Sequence, residues 1–191
     1  IITNTLEDKL PIFRYHDRWK TIRTQDLIDD VEYTNIERDK GYHYYTKADP
    51  ADTNGYMQEN SGKISIPKKN LRYIREIQKY CEENDARLVL ISTPSTKNWN
   101  YKKHNSVEEL AKELGVEYID LNLQSDQVAI DWNTDSRDKG DHLNYNGAMK
   151  VTDYVGKYLK ETELFEDKRE NPDYADWNTQ LEAFDQYKAE Q

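Results

Sequence analysis

Hydrophobic positions fall into clear helical and strand periods only from about residue 64 onward. After Pro67, Leu71, Ile74, Ile77 and Cys81 recur at spacings of three or four, which predicts a helix from about Lys69 to Asn84. Arg87-Leu88-Val89-Leu90-Ile91 is a short apolar, β-branched run, the pattern of a strand buried on both faces of a parallel sheet. Ser92-Thr93-Pro94-Ser95 ends it in a loop. Ser106 with Glu109 three residues later reads as a capping box, so the next helix is expected there, presenting Val107, Leu110, Ala111 and Leu114 and closing at Gly115. Val116–Leu121 predicts a second strand. A polar connection from about Gln124 to Gly140, interrupted by Val128-Ala129-Ile130 and Trp132, leads to a helix from about Gly147 to Lys160. Val151, Tyr154, Val155, Tyr158 and Leu159 form its expected buried face.

Helix, strand, helix, strand joined by short loops is the pattern of a doubly wound parallel sheet, so an α/β fold is expected. The flanks are less regular. A short helix is expected at Gln25–Val31, and residues 32–63 are turn-rich and aromatic, an excursion between core elements. Near the end, Trp177, Leu181, Phe184 and Tyr187 fall at helical spacing and predict a C-terminal helix packed on the domain. With no internal repeat and no low-complexity linker, residues 1–191 read as one domain with its core at 64–160, an irregular opening at 1–63 and a helical tail at 161–191.

Composition sharpens this picture. Hydrophobic residues make up 36% of the 191 positions, but 15 Tyr and 4 Trp add apolar area that carries a polar tip. The net charge of −10 argues against a nucleic-acid partner, which would need a basic face. The single cysteine, Cys81, excludes an intrachain disulfide and a cysteine-based metal site. No apolar run approaches the roughly 18 residues of a membrane span. The first residue is Ile1 rather than Met, which suggests a processed or truncated piece of a longer protein, with any targeting segment upstream.

The densest chemistry lies in Asp138-Lys139-Gly140-Asp141-His142-Leu143-Asn144-Tyr145-Asn146-Gly147-Ala148. A histidine beside carboxylates, in a glycine-marked loop before a helix, suits a general base whose tautomer is fixed by an acid. Function in open α/β sheets gathers beyond the carboxyl ends of the strands, which also brings in the loops 92–105 and 121–126. Ser92, Ser95, Lys97, Asn98 and Trp99 are the candidates for lining a substrate cleft there. The two serines are weaker candidates for a nucleophile, since a Ser-Thr-Pro-Ser turn is more often local hydrogen bonding. His104, just before the capping box, is expected to be exposed. His16, with Arg14, Arg18 and Trp19, reads as an aromatic–cation surface cluster, and His43 carries no readable role. Asp131, Asp135, Asp138, Asp141 and His142 also offer metal-type ligands, but their spacing does not match a calcium loop, so no metal and no cofactor is expected.

The ending His142-Leu143-Asn144-x-x-Gly147-Ala148, with the strand–loop units Leu88–Trp99 and Val116–Asn122 before it, resembles the C-terminal half of the SGNH/GDSL hydrolase family across residues 64–160. The resemblance implies a three-layer, flavodoxin-like domain and a Ser-His-Asp esterase or O-acyltransferase acting on an acyl ester, by analogy one on a cell-surface glycan outside the cytoplasm. His142 would be its base. The family's Asp-x-x-His spacing puts Lys139 at the acid position. A bulge at Gly140 would let Asp138 reach Nδ1, and this is preferred to the adjacent Asp141. The family's Gly-Asp-Ser-like block is missing, because the only Ser-Gly is Ser61-Gly62 in a polar loop. The nucleophile is therefore expected upstream of Ile1, and the chain alone is expected to be inactive. A core lacking its opening strands exposes a sheet edge, which favours self-association. The contrary expectation is a non-catalytic module whose tyrosine- and tryptophan-rich opening grips a glycan or a protein.

Overall fold

The computed structural model describes residues 42–190. The expected helix at Gln25–Val31 and the His16 cluster lie outside them. Residues Tyr44–Glu166 form one compact unit, and the chain from Asp167 onward belongs to another.

The first unit is a mixed helix–strand assembly: α1 (Lys68–Glu83), β1 (Val89–Ser92), α2 (Tyr101–Leu114), β2 (Glu117–Asp120), a single turn α3 (Ser125–Val128) and α4 (Tyr145–Glu161). β1 and β2 pair in parallel, with Val89 opposite Glu117 and Ser92 opposite Asp120. Parallel neighbours need a crossover, and α2 supplies it. The core is small. Ile119, Leu121 and Val128 are buried, with Val89, Ile130, Val151, Tyr154 and Tyr158 packed around them. The α/β alternation is thus present. The expectation that β1 is buried on both faces is not met, because Ile91 is 41% exposed and only β2 flanks β1 among the described residues. On α4, Leu159 likewise turns to solvent while Val151, Tyr154 and Tyr158 face the core.

Helix α2 starts five residues before the expected capping box. The Asn100 side chain accepts the Lys103 N–H at 3.1 Å and sets the N-terminus there. Ser106 is left inside the helix and buried. Its hydroxyl accepts the Ile64 N–H and donates toward the Ile64 and Lys102 carbonyls, all at 2.8–2.9 Å. The serine read as a cap therefore stitches the extended stretch before α1 onto α2, with Asn105 adding bonds to the Asn60 and Gly62 carbonyls. Gly115, at φ 67°, ends α2 as expected.

Residues 44–60 lack regular structure apart from a turn at 54–57, yet they are firmly tied to the unit. The Asp49 and Ala51 N–H groups donate to the Ser136 and Trp132 carbonyls, and the Tyr145 N–H donates to the Tyr45 carbonyl at 2.6 Å. Tyr56 meets Trp132 edge to face at 5.3 Å. The excursion thus braces the loop that carries His142.

In the other unit, Asn171 caps a 3₁₀ turn (Pro172–Tyr174) that runs into α5 (Ala175–Ala189). Phe184 meets Tyr42 edge to face at 6.1 Å, while Trp177 and Leu181 are more than half exposed. No helix among the described residues is long and apolar enough to cross a membrane.

Candidate functional site

The His142 loop is held from beneath by three buried polar residues. Asp135 accepts the Asp131 N–H at 2.8 Å and the Lys150 ammonium at 2.6 Å, while its carbonyl receives the Asn144 N–H. Asn144 caps α4 by accepting the Gly147 N–H at 3.2 Å, and its amide donates to the Thr134 and Lys47 carbonyls. Ser136 bridges to Leu143 across the loop, and its hydroxyl accepts the Gly140 N–H at 2.6 Å. These side chains satisfy buried backbone groups that no strand or helix partners.

Above this base the chain makes two consecutive left-handed residues, Lys139 at φ 62° and Gly140 at φ 92°. For Lys139 this costs roughly 1–2 kcal/mol. The Gly140 position has no room for a side chain, since an added Cβ would meet the Thr96 hydroxyl at 1.9 Å and the Ala51 methyl at 2.8 Å. The Gly140 carbonyl is bound by the Thr96 N–H at 2.9 Å and the Ser95 hydroxyl at 3.1 Å. This double kink absorbs the extra residue between acid and histidine. Asp138 Oδ2 lies 2.6 Å from His142 Nδ1, and its Oδ1 accepts the backbone N–H groups of His142 at 2.7 Å and Asp141 at 3.0 Å. Asp141 stands off, 3.9 Å from Nδ1, with Asn98 donating to its other oxygen. Of the two carboxylates that sequence left open, Asp138 is the one against the ring.

Partial burial pushes the Asp138 carboxyl up, but the His142 N–H, the imidazole and the Asp141 N–H outweigh it and hold the group below the usual carboxylate range. The Arg137 side chain lies 4.0 Å from Asp138 Oδ2, with its guanidinium 4.4 Å over the Tyr45 ring. Asp138 accepting from the ring selects the Nδ1–H tautomer, which leaves Nε2 with a lone pair on an exposed imidazole. One ligand atom each from Asp138, Asp141 and His142 lies within 4.8 Å of the others, but Nδ1 is already committed to Asp138.

The residues expected to line a cleft separate into two sets. Lys97 and Asn98 are exposed beside the His142 loop, with the Lys97 ammonium on the Asp138 carbonyl at 2.6 Å. Ser95 is buried behind them, bonded to Gly140 and to the Asn98 N–H. Ser92 and Trp99 belong elsewhere. They join a buried network centred on Asp120 at the end of β2, which sequence reading did not single out.

Asp120 Oδ2 accepts Trp99 Nε1 at 2.9 Å and the Tyr118 hydroxyl at 3.0 Å, and lies 2.8 Å from His104 Nδ1. Its Oδ1 accepts both the backbone and the side-chain N–H of Asn122. Ser92 Oγ lies 3.0 Å from the Tyr118 hydroxyl. Asn122 in turn receives the Tyr56 hydroxyl at 2.7 Å and the Ser95 N–H at 3.0 Å. Burial, with the Asp120 charge nearby, pushes the Tyr56 and Tyr118 phenols above the ordinary tyrosine range, so both stay neutral donors. His104 is therefore not the exposed residue its position suggested. It is largely buried, between Tyr101 and Tyr118. The available signal was a strand ending in Asp-Leu-Asn just where functional loops of α/β sheets begin.

No protein-family model, curated protein or solved structure matches this chain.

Proposed function

We propose that residues 64–160 are the C-terminal part of a three-layer, flavodoxin-like α/β domain of the SGNH type, and that His142 with Asp138 is its general base for hydrolysis or transfer of an acyl ester. One observation carries the reading: an exposed imidazole whose Nδ1 lies 2.6 Å from a carboxylate that is itself anchored by two backbone N–H groups. Such an imidazole has a fixed tautomer and a directed Nε2, the two properties a base for hydroxyl activation needs.

In the proposed reaction, Nε2 takes the proton of a serine hydroxyl as its oxygen attacks the ester carbonyl. Asp138 stabilises the imidazolium without taking its proton. The imidazolium then protonates the leaving alcohol as the C–O bond breaks, which leaves an acyl-serine. In a second pass Nε2 removes the proton of water or of an acceptor hydroxyl as that oxygen attacks the acyl-serine carbonyl, and returns the proton to the serine oxygen as its bond to the acyl carbon breaks. This sequence has no Gly-x-Ser, so the proposed reaction takes its serine and its oxyanion-binding groups from outside these residues. By analogy with the family, the substrate is an acyl ester of a cell-surface glycan and the setting is extracytoplasmic.

The test is hydrolysis of p-nitrophenyl acetate by the full-length product. His142→Ala is expected to lower kcat on the order of 10³-fold while the protein stays folded. Full activity in that variant would reject the base assignment, and an inactive full-length protein that binds glycan would favour a non-catalytic module.

A further inference from the structure

We propose that Asn98 is a positioning residue of the His142 site: its side-chain amide holds the Asp141 carboxylate away from the imidazole and leaves Asp138 as the sole partner of Nδ1. The inference builds on the acyl-transfer reading, since it is the aim of Nε2 that is being protected.

Two carboxylates flank one ring nitrogen. Asp138 Oδ2 is at 2.6 Å and Asp141 Oδ2 at 3.9 Å, so a side-chain rotation of Asp141 would bring it into competition. The two acids are restrained differently. Asp138 is fixed by the backbone N–H groups of Asp141 and His142. Asp141 receives Asn98 Nδ2 on Oδ1, a contact from outside its own loop. Asn98 is in turn well placed to act as a stop. Its N–H donates to Ser95 Oγ at 3.0 Å, and that same hydroxyl donates to the Gly140 carbonyl. Thr96 N–H and Lys97 Nζ bind the Gly140 and Asp138 carbonyls, so the turn after β1 is tied to the His142 loop at two further points. A neutral amide suits this role, because it satisfies one oxygen of Asp141 without adding a charge that would compete for Asp138. A lysine would bring such a charge, and an aspartate would repel Asp141 toward the ring.

The experiment is ¹⁵N NMR of the His142 ring in the intact chain at a pH where the ring is neutral. The wild-type ring is expected to show one Nδ1–H tautomer. Asn98→Ala, which keeps the N–H bond to Ser95, is expected to shift or broaden both ring nitrogens as Asp141 exchanges with Asp138, and adding Asp141→Asn should restore the wild-type pattern. Unchanged signals in Asn98→Ala, or no restoration in the double variant, would overturn the proposal. Asp141→Ala alone provides the check if Asn98→Ala does not fold. It should leave the ring pattern in place, and a shift would mean that Asp141 is itself a ring partner. In the active enzyme, Asn98→Ala should lower kcat by about 10- to 100-fold with KM retained. Because the ring is read without turnover, a restored pattern here, together with no ester hydrolysis by a protein that also carries the proposed serine, would reject the acyl-transfer reading alone.

Discussion

His142 and His104 each bring an imidazole Nδ1 against a carboxylate, at 2.6 and 2.8 Å, yet the two pairs stand in opposite surroundings. The His142 and Asp138 side chains are 58% and 36% exposed, whereas those of His104 and Asp120 are 13% and 3%. Asp120 is saturated with donors from Trp99, Tyr118 and Asn122, and its histidine is wedged between two tyrosines. A buried carboxylate used in this way fixes structure: it locks the end of β2 to α2 and to the loop after β1. Asp138 has one side-chain hydrogen-bond partner, the exposed His142 ring, and two backbone N–H donors that anchor its other oxygen. A His–Asp pair is therefore not a catalytic signature by itself. Exposure, and what else claims the carboxylate, are what distinguish the two pairs.

The comparison breaks most visibly at Asp120. Removing its carboxylate leaves a largely buried ring, an indole and a phenol without their acceptor, so Asp120→Ala should destabilise the unit by about 3–5 kcal/mol in chemical denaturation. Asp138→Asn should change stability by less than about 1 kcal/mol, and under the acyl-transfer proposal it lowers kcat on the order of 10³-fold. Similar stability losses for the two would erase the distinction. Gly140→Ala comes next. A left-handed backbone and the Thr96 hydroxyl in the way should cost about 2 kcal/mol or more and disrupt the Asp138–His142 contact, seen as a loss of the single ring tautomer by NMR. Ser106→Ala leaves the Ile64 N–H unpaired and should cost about 1–2 kcal/mol without affecting the His142 ring.

The smallest effect is a pH dependence. Asp138 has a folded-state pKa below its unfolded value, so its stabilising contribution is complete above the unfolded value, about 3.9, and is lost as pH falls through the folded one. Because the group is partly exposed, solvent screening limits the contribution to a few tenths of a kcal/mol. Asp138→Asn should therefore flatten the acid limb of the stability profile only slightly, and the neutral region should not move.

Sequence patterning located the α/β alternation and the Gly115 terminus, since these depend on local periods and backbone preferences. The preference for Asp138 over Asp141 was also legible, because a neighbouring side chain diverges and a glycine permits a kink. What sequence concealed depends on tertiary contacts. Ser106 looks like a cap until Asn100 takes that role and the Ile64 backbone claims its hydroxyl. His104 looks exposed until Asp120, sixteen residues on, draws it inward. Ser92 and Ser95 sit at a strand end as a nucleophile would, but both are buried and hydrogen-bonded into the scaffold.

The acyl-transfer proposal requires a serine that His142 can activate. Labelling a protein that carries this chain and the proposed serine with a fluorophosphonate probe, followed by peptide mapping, puts that requirement to the test. The expected result is one modified serine, with labelling abolished in His142→Ala and unchanged in His104→Gln. No labelling, or labelling indifferent to His142, would contradict it.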